Sequence, residues 1–471
     1  MNPQQRFTTP REKALAVNLD PRRYGTFAEI GAGQEVVRWF FQAGGAAGTI
    51  AKSISAYDMQ VSDAIYGDCE RYVCRERLEA MLECEHRLNL QRLSTSRGER
   101  TAFFAFADTV VARSYHGTGE CHGWMGVRFQ ATPGDEDSQI IVHMRMLDHE
   151  NAAQQEALGI LGVNLLYGAC FLSREPDTLL ESLLDGLSTT RIEIDMVEFS
   201  GIEFRRVDNR IMTLKLVQLG LTAAAMFAAD GGVLQPSAVL RKRPVLIQRG
   251  RFRPVTHVNL DILEAAQSAF ERQSGVAAGE SLTLMEMTMQ QLRSGERDID
   301  LRDFIARAEV LEATGHTVMI SDYFEYYRLA AYLWRYTHRP IGVAMGIPAL
   351  RELLDEQFYA HLEGGILESF GRLFKGDLKL FVYPLLEPGS GELVTIDTLE
   401  VPSALHHLFA HLRERGCLVP LEQYRAEHMH IFSPDVLGRI GNGDRSWEGM
   451  VPSGVAAAIK SRALFGYRPG A

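Results

Sequence analysis

Four carboxylates stand where short apolar runs give out along the C-terminal half of the chain: Glu198 after RIEIDMV, Asp230 after AAAMFAA, Glu286 within LTLMEMT, and Asp322 one residue past TVMIS. Three arginines, Arg249, Arg251 and Arg253, alternate at the end of VLIQ and just beyond it. Carboxylate oxygens suit Mg²⁺, a hard cation that bridges to phosphates, and a guanidinium fork holds phosphate through paired N–H donors. Glu198, Asp230, Glu286 and Asp322 therefore read as catalytic acid/base groups, with Asp230 and Glu286 as the Mg²⁺ ligands. The arginines read as the phosphate grip. Polar residues are also ordinary at strand ends, so this reading requires the set to converge.

A second group lies upstream. His122, Trp124 and Arg128 share a parity in HGWMGVRF, as do His143 and Arg145 in QIIVHMRML. Arg128, His143 and Arg145 would then form a cationic sheet face for phosphate or carboxylate, with Trp124 as a ring to stack on. The alternative is a solvated face, or one covered by the glycine-rich segment with its Glu29 and Glu35. Cys121 beside His122 would point to the opposite side of a regular strand, which works against a nucleophile–base pair. Gly364 and Gly365 precede ILESFGRLF and suggest a helix start able to hold an anion. The stretch Asp322–Arg328 crowds aromatic and charged residues after a strand, and helical spacing explains most of it as core. The histidines at 406, 407, 411, 428 and 430 lack zinc-motif spacing and are expected on the surface.

The glycine-rich segment Phe27–Ser53 does not make a phosphate loop. Gly48 is followed by Thr49, Ile50 and Ala51 before Lys52 and Ser53, not by Lys-Ser/Thr. Gly31-Ala32-Gly33 lacks the third glycine of a dinucleotide fingerprint, and no clear strand precedes it. None of the six cysteines forms C-x-x-C, so all are expected as free thiols.

The elements that must position these residues change period along the chain. A short helix is expected over Gln34–Phe41 and a longer one from Ser62 or Asp63 towards Leu93. Thr101–Tyr115 is rich in Phe and Val, and with the period-two alternation of Trp124–Phe129 and Gln139–Leu147 it predicts a three-stranded antiparallel meander. Beyond it, short strands at 191–198, 223–229, 245–249, 282–288, 317–321, 341–345 and 378–384 alternate with helices at 208–220, 260–272, 301–314, 324–336 and 349–362. That pattern predicts a mostly parallel, helix-covered sheet. The expected class is α/β: a parallel sheet in the C-terminal part, preceded by a glycine-rich segment and a small antiparallel α+β region. The expected divisions are 1–60, 61–175, 176–420 and an irregular tail, 421–471.

The 471 residues suggest two or three domains, and 46% hydrophobic content is ample for their cores. A formal charge of −11 lacks the footprint of a nucleic-acid binder. No basic region followed by an apolar stretch opens the chain, and 157–172 is too short to span a bilayer and reads as a buried helix. A cytoplasmic location without membrane association is expected.

Five stretches taken together are similar to a bacterial family found in many phyla: FAEIGAGQEVVRWFFQAGGAAGTIAKSISAYDMQVSDAIYG (Phe27–Gly67), ECHGWMGVRFQ (Glu120–Gln130), EALGILGVNLLYGA (Glu156–Ala169), RIEIDMVEFSG (Arg191–Gly201) and ISDYFEYYRLAAYLWRYTHRPIGVAMGIP (Ile320–Pro348). The likeness spans most of the chain. Members of that family carry the names nicotinate-nucleotide adenylyltransferase and TonB-dependent receptor. The first name would imply H-x-G-H and I-S-S-T-x-x-R motifs, and the second a leader peptide and many barrel strands. This sequence has neither set, so the resemblance implies no activity and transfers no functional residue.

The expected function is a cytoplasmic enzyme acting on a phosphorylated or nucleotide-like small molecule, such as a metal-dependent group transferase, and assembled as a homo-oligomer. A non-catalytic scaffold whose small residues pack subunits together is the alternative.

Overall fold

The computed structural model describes residues 7–113, 120–293 and 298–468. The chain divides into two compact units that meet in sequence at Ala223 and Ala224. Both are α/β.

In the first unit six strands form one mixed sheet: β1 (Arg23–Ile30), β2 (Ile50–Ile54), β3 (Ala102–Val111), β4 (His122–Gln130), β5 (Asp137–Met146) and β6 (Ile192–Gly201), in the order β2-β1-β3-β4-β5-β6. β1 runs parallel to both β2 and β3. The meander is present as β3-β4-β5, and β6 extends it antiparallel to β5. This corrects the expectation that 191–198 opens the parallel sheet. An alternating pattern fixes which side of a strand is buried and leaves its partner open. β1 likewise corrects the reading that no strand precedes Gly31.

Helices α1 (Pro10–Leu19), α2 (Glu35–Ala43) and α5 (Asn151–Phe171) pack together. Gly162 of α5 lies close to Val36 and Phe106, and close approach leaves no room there for a side chain. The other face is covered by α4 (Arg75–Arg97), whose Leu78 and Leu82 lie over Gly126. The single helix expected from residue 62 is two: α3 (Met59–Tyr66) stops at Gly67, which has φ +86°, and α4 begins eight residues later. Helices α6 (Pro176–Ser182) and α7 (Asn209–Gln218) complete the unit.

The second unit holds an eight-stranded sheet of β7 (Ala224–Phe227), β8 (Val233–Leu234), β9 (Val245–Arg249), β10 (Leu282–Thr288), β11 (Thr317–Ser321), β12 (Ile341–Gly346), β13 (Leu378–Tyr383) and β16 (Leu418–Pro420). A separate hairpin pairs β14 (Leu385–Leu386) with β15 (Leu393–Val394). The order is β16-β13-β12-β9-β10-β11-β7-β8, parallel from β16 to β11, with β7 and β8 antiparallel at one edge. The chain winds from β9 outward to β11, then crosses back to place β12 on the other side of β9. That reversal is the topological switch of a doubly wound sheet, and ligand crevices open beyond the carboxyl ends of the strands there.

The helices of this unit are α8 (Pro236–Leu240), α9 (His257–Ser274), α10 (Met289–Leu292), α11 (Leu301–Glu312), α12 (Tyr326–Tyr336), α13 (Ile347–Leu353), α14 (Gly365–Leu373), α15 (His406–Glu414), α16 (Ser433–Asn442) and α17 (Ser453–Arg462). The tail is therefore helical rather than irregular: Val436, Ile440, Trp447, Val455 and Ile459 are all buried. Among the described residues, no helix is long and apolar enough to cross a membrane.

Candidate functional site

A candidate site lies beyond the carboxyl ends of β9, β10, β11 and β12. Arg249 closes β9, and Glu286 stands opposite it on β10. Arg249 Nε donates to Glu286 Oε2 at 2.9 Å and Nη2 to Oε1 at 3.0 Å. Its remaining N–H groups reach the carbonyls of Phe324 (2.6 Å) and Tyr323 (2.8 Å), and its guanidinium lies 4.3 Å from the centre of the Tyr326 ring. Ser321 Oγ donates to Glu286 Oε1 at 2.5 Å. Burial works against the Arg249 cation, but the Glu286 carboxylate outweighs it and holds the guanidinium above its ordinary value. Burial also pushes the Tyr326 phenol upwards.

A cavity of about 280 Å³ opens beside this network, lined by Arg249, Arg251, Thr288, Gln291, Tyr326 and Glu352 among others. The loop after β9 sorts its three arginines. Asp303 takes Arg253 Nε at 2.5 Å and Arg307 Nε at 2.7 Å. Arg307 in turn holds the carbonyls of Arg251 (3.3 Å) and Gln291 (2.9 Å). Among the described residues, the exposed Arg251 guanidinium has no carboxylate partner, while its backbone is fixed. Among the described residues the cavity thus offers one unspent cation, hydroxyl and amide side chains and aromatic walls, alongside the carboxylates of Glu325 and Glu352.

The four expected carboxylates do not converge. Glu286 is committed to Arg249 and Ser321. Asp322 is exposed beyond β11. Asp230 follows β7, which runs antiparallel to β11, with Ala224 opposite Ser321 and Phe227 opposite Val318. It therefore sits at the opposite end of the sheet from Glu286, and the two cannot share a Mg²⁺. Glu198 lies on β6 of the first unit, where Arg75 grips it through bonds of 3.0 and 2.5 Å. Among the described residues, no three His, Cys, Asp or Glu side chains stand together as a metal would need. Gly364 donates its N–H to Glu368 of the helix it precedes, at 2.9 Å, so that amide is already spent; Gly365 has φ +54°.

The cationic face of the first unit exists as a register but not as an open surface. His122 pairs with Arg145, and Trp124 with His143. Arg128 is bound to Glu83 and, at 3.0 Å, to Asp137, while Arg145 meets Glu193 at 2.6 Å. His143 is 1% exposed, with Nδ1 2.5 Å from Asp195 Oδ1 and Nε2 3.1 Å from His122 Nδ1. A register shift between His143 and Met144 re-aims β6, so that Asp195 meets His143 and Ile194 returns to the core. Helix α4, not the glycine-rich segment, covers this side.

Glu29 and Asp108 are directly opposite on parallel β1 and β3, both 1% exposed. Glu29 accepts the N–H groups of Val36 (2.9 Å) and Val37 (3.0 Å) in the first turn of α2. Burial raises it to about 7 against those amides. Neither Asp108 oxygen makes a full hydrogen bond among the described residues, and the Ile30 backbone N–H favours its charge only weakly. Burial first, then the Glu29 charge, push Asp108 well above the carboxylate range. A signal for both was present: Phe27-x-Glu29 and Phe104-x-Phe106-x-Asp108 put each acid on the core parity.

No protein-family profile matches the chain, and no curated protein matches it. Among solved structures it is similar to a competence/damage-inducible protein from Agrobacterium tumefaciens, at 17% identity over 34% of this chain and 94% of that one, with a TM-score of 0.25. It is also similar to competence-damaged superfamily proteins from Klebsiella pneumoniae (11% identity, 34% and 95% covered, TM-score 0.24) and Enterobacter cloacae (14%, 35% and 94%, TM-score 0.23).

Proposed function

We propose that the protein binds and acts on a phosphorylated or nucleotide-like small molecule at the carboxyl edge of β9–β12. The observation that carries this reading is Arg251, a guanidinium with no carboxylate partner among the described residues, on a cavity at the switch of a doubly wound sheet. An anion there gains a charge-assisted hydrogen bond without breaking an existing ion pair, and Tyr326 and Phe324 supply flat surfaces for a base. Arg249 and Glu286 serve by holding the rim rather than by chemistry. Thermal melts of the purified protein with pyrophosphate, ADP and a dinucleotide, each with and without Mg²⁺, test the reading. A ligand at a hundred times its Kd adds about 2.7 kcal/mol, a rise of several degrees that Arg251→Ala should abolish. No shift with any of these probes, or an equal shift in the variant, sinks it.

A second reading, a homo-oligomeric assembly protein, is favoured by exposed apolar residues on and before α3: Tyr57, Met59, Val61 and Ile65. Light scattering at micromolar concentration decides it. A monomer, or an oligomer untouched by Val61→Lys, removes that reading.

A further inference from the structure

The break between α3 and α4 holds two half-buried cysteines, five residues apart. Their sulfurs approach to 3.6 Å, and both thiols donate to one acceptor, the Arg71 carbonyl, at 3.0 Å each. Cys74 is also the cap of α4, its Sγ accepting the Arg77 N–H at 3.4 Å. The other four cysteines differ: Cys170 and Cys417 are buried, while Cys84 and Cys121 are half-buried and have no thiol neighbour among the described residues.

We propose that Cys69 and Cys74 are a dithiol modification site that closes to an intramolecular disulfide by exchange with a low-molecular-weight disulfide. The sulfurs must approach by roughly 1.5 Å to reach bonding distance, and the intervening loop is short. The Cys69 thiolate attacks one sulfur of the reagent RSSR, forming the Cys69–S–SR bond and releasing RS⁻. The Cys74 thiolate then attacks the Cys69 sulfur, forming the Cys69–Cys74 bond and releasing the second RS⁻. Two protein thiols lose two protons and two electrons, and RSSR is reduced to two RSH. Burial raises the Cys74 thiol to about 12, so the second step relies on its closeness to Cys69 rather than on a ready thiolate.

Closure removes both S–H donors from the Arg71 carbonyl. It acts next to Tyr72, whose hydroxyl donates to Asp63 at 2.6 Å and whose carbonyl accepts the Thr109 hydroxyl of β3. The site is thus tied to the central sheet of its unit.

The test equilibrates the full-length protein with excess glutathione disulfide, then counts thiols in denaturant and maps unreduced peptides. The thiol count should fall by two, from six to four, with a mass loss of about 2 Da and a cross-link between residues 69 and 74. Cys74→Ser keeps a hydroxyl cap on α4, so it should fold and stop at a stable mixed disulfide on Cys69. Six remaining thiols in the wild type, loss from the Cys84 or Cys121 peptides instead, or a two-thiol loss in Cys74→Ser would each overturn the proposal.

Discussion

Arg249 and Glu286 lie side by side on adjacent parallel strands, joined by two hydrogen bonds of 2.9 and 3.0 Å, with side-chain exposures of 7% and 0%. The pair does more than neutralise itself. Through the carbonyls of Tyr323 and Phe324 it fixes the turn after β11, and that turn carries Tyr326 to the cavity. A buried ion pair of this kind is a positioning device whose removal exposes the cost of the charge left behind.

Glu286→Ala should therefore destabilise the second unit by about 3–5 kcal/mol, because Arg249 keeps its charge and loses its partner. The double variant Arg249→Leu/Glu286→Leu should recover much of that loss, with no buried charge left unpaired. Urea melts of the two proteins check this. Equal losses in the single and double variants would show that the carbonyl contacts, not the pairing, carry the stability.

The Glu29–Asp108 pair predicts a pH effect of definite sign. Glu29 titrates near 7 in the folded chain, against 4.5 ordinarily, and Asp108 is raised well above its ordinary value. Between about pH 4.5 and 7 the native state thus holds protons that the unfolded state has lost, so stability from the pair falls as pH rises through that window. Asp108→Asn removes the ionisable orphan. It should stabilise the protein relative to wild type, and more at pH 8 than at pH 5. Equal effects in melts at the two pH values would show that the pair does not titrate there.

Much of the second unit was legible because its strands are short apolar runs, too short for helices, and alternate with longer amphipathic helices. What pairing does was not legible. Nothing in RIEIDMVE says that its neighbour is β5, and the bulge that turns Asp195 towards His143 exists only once that register is set. Arg249 and Glu286 were recognisable as unusual residues at strand ends. That each is the other's partner depends on β9 and β10 being adjacent. Asp230 was misplaced for the same reason, since strand direction at the β7 edge decides which end it occupies. Glu29 and Asp108 were legible in parity, as acids on a core-facing row, but burial without a partner is a property of packing.

Gly31 and Gly33 flank the turn from β1 into α2, and both have positive φ, +108° and +92°. They should respond differently to a side chain. A Cβ at Gly31 would overlap the Val110 carbonyl of β3, whereas one at Gly33 meets only Glu35 Oε1 at 3.8 Å. Gly33→Ala should cost the 1–2 kcal/mol of a left-handed backbone alone. Gly31→Ala should cost more, since β1 and β3 must separate. Thermal melts rank them, and equal losses would show that the strand edges yield freely.

The Asp195–His143–His122 chain predicts a tautomer. An ionised carboxylate only accepts, so the 2.5 Å contact requires a hydrogen on His143 Nδ1. With the His143 ring neutral, Nε2 then presents a lone pair, and the 3.1 Å contact places the His122 hydrogen on its Nδ1. The edge of Trp124, centred 4.9 Å from the His143 ring, helps hold that ring in place. Asp195→Asn offers either a carbonyl or an amide N–H to Nδ1 and no longer dictates the choice. Long-range ¹⁵N–¹H spectra should show wild-type His143 protonated at Nδ1 and the variant mixed or reversed, with a stability loss of about 1–3 kcal/mol for the weakened buried bond. A wild-type spectrum showing hydrogen at Nε2 alone would mean that Asp195 is itself protonated and that the chain runs in the opposite sense.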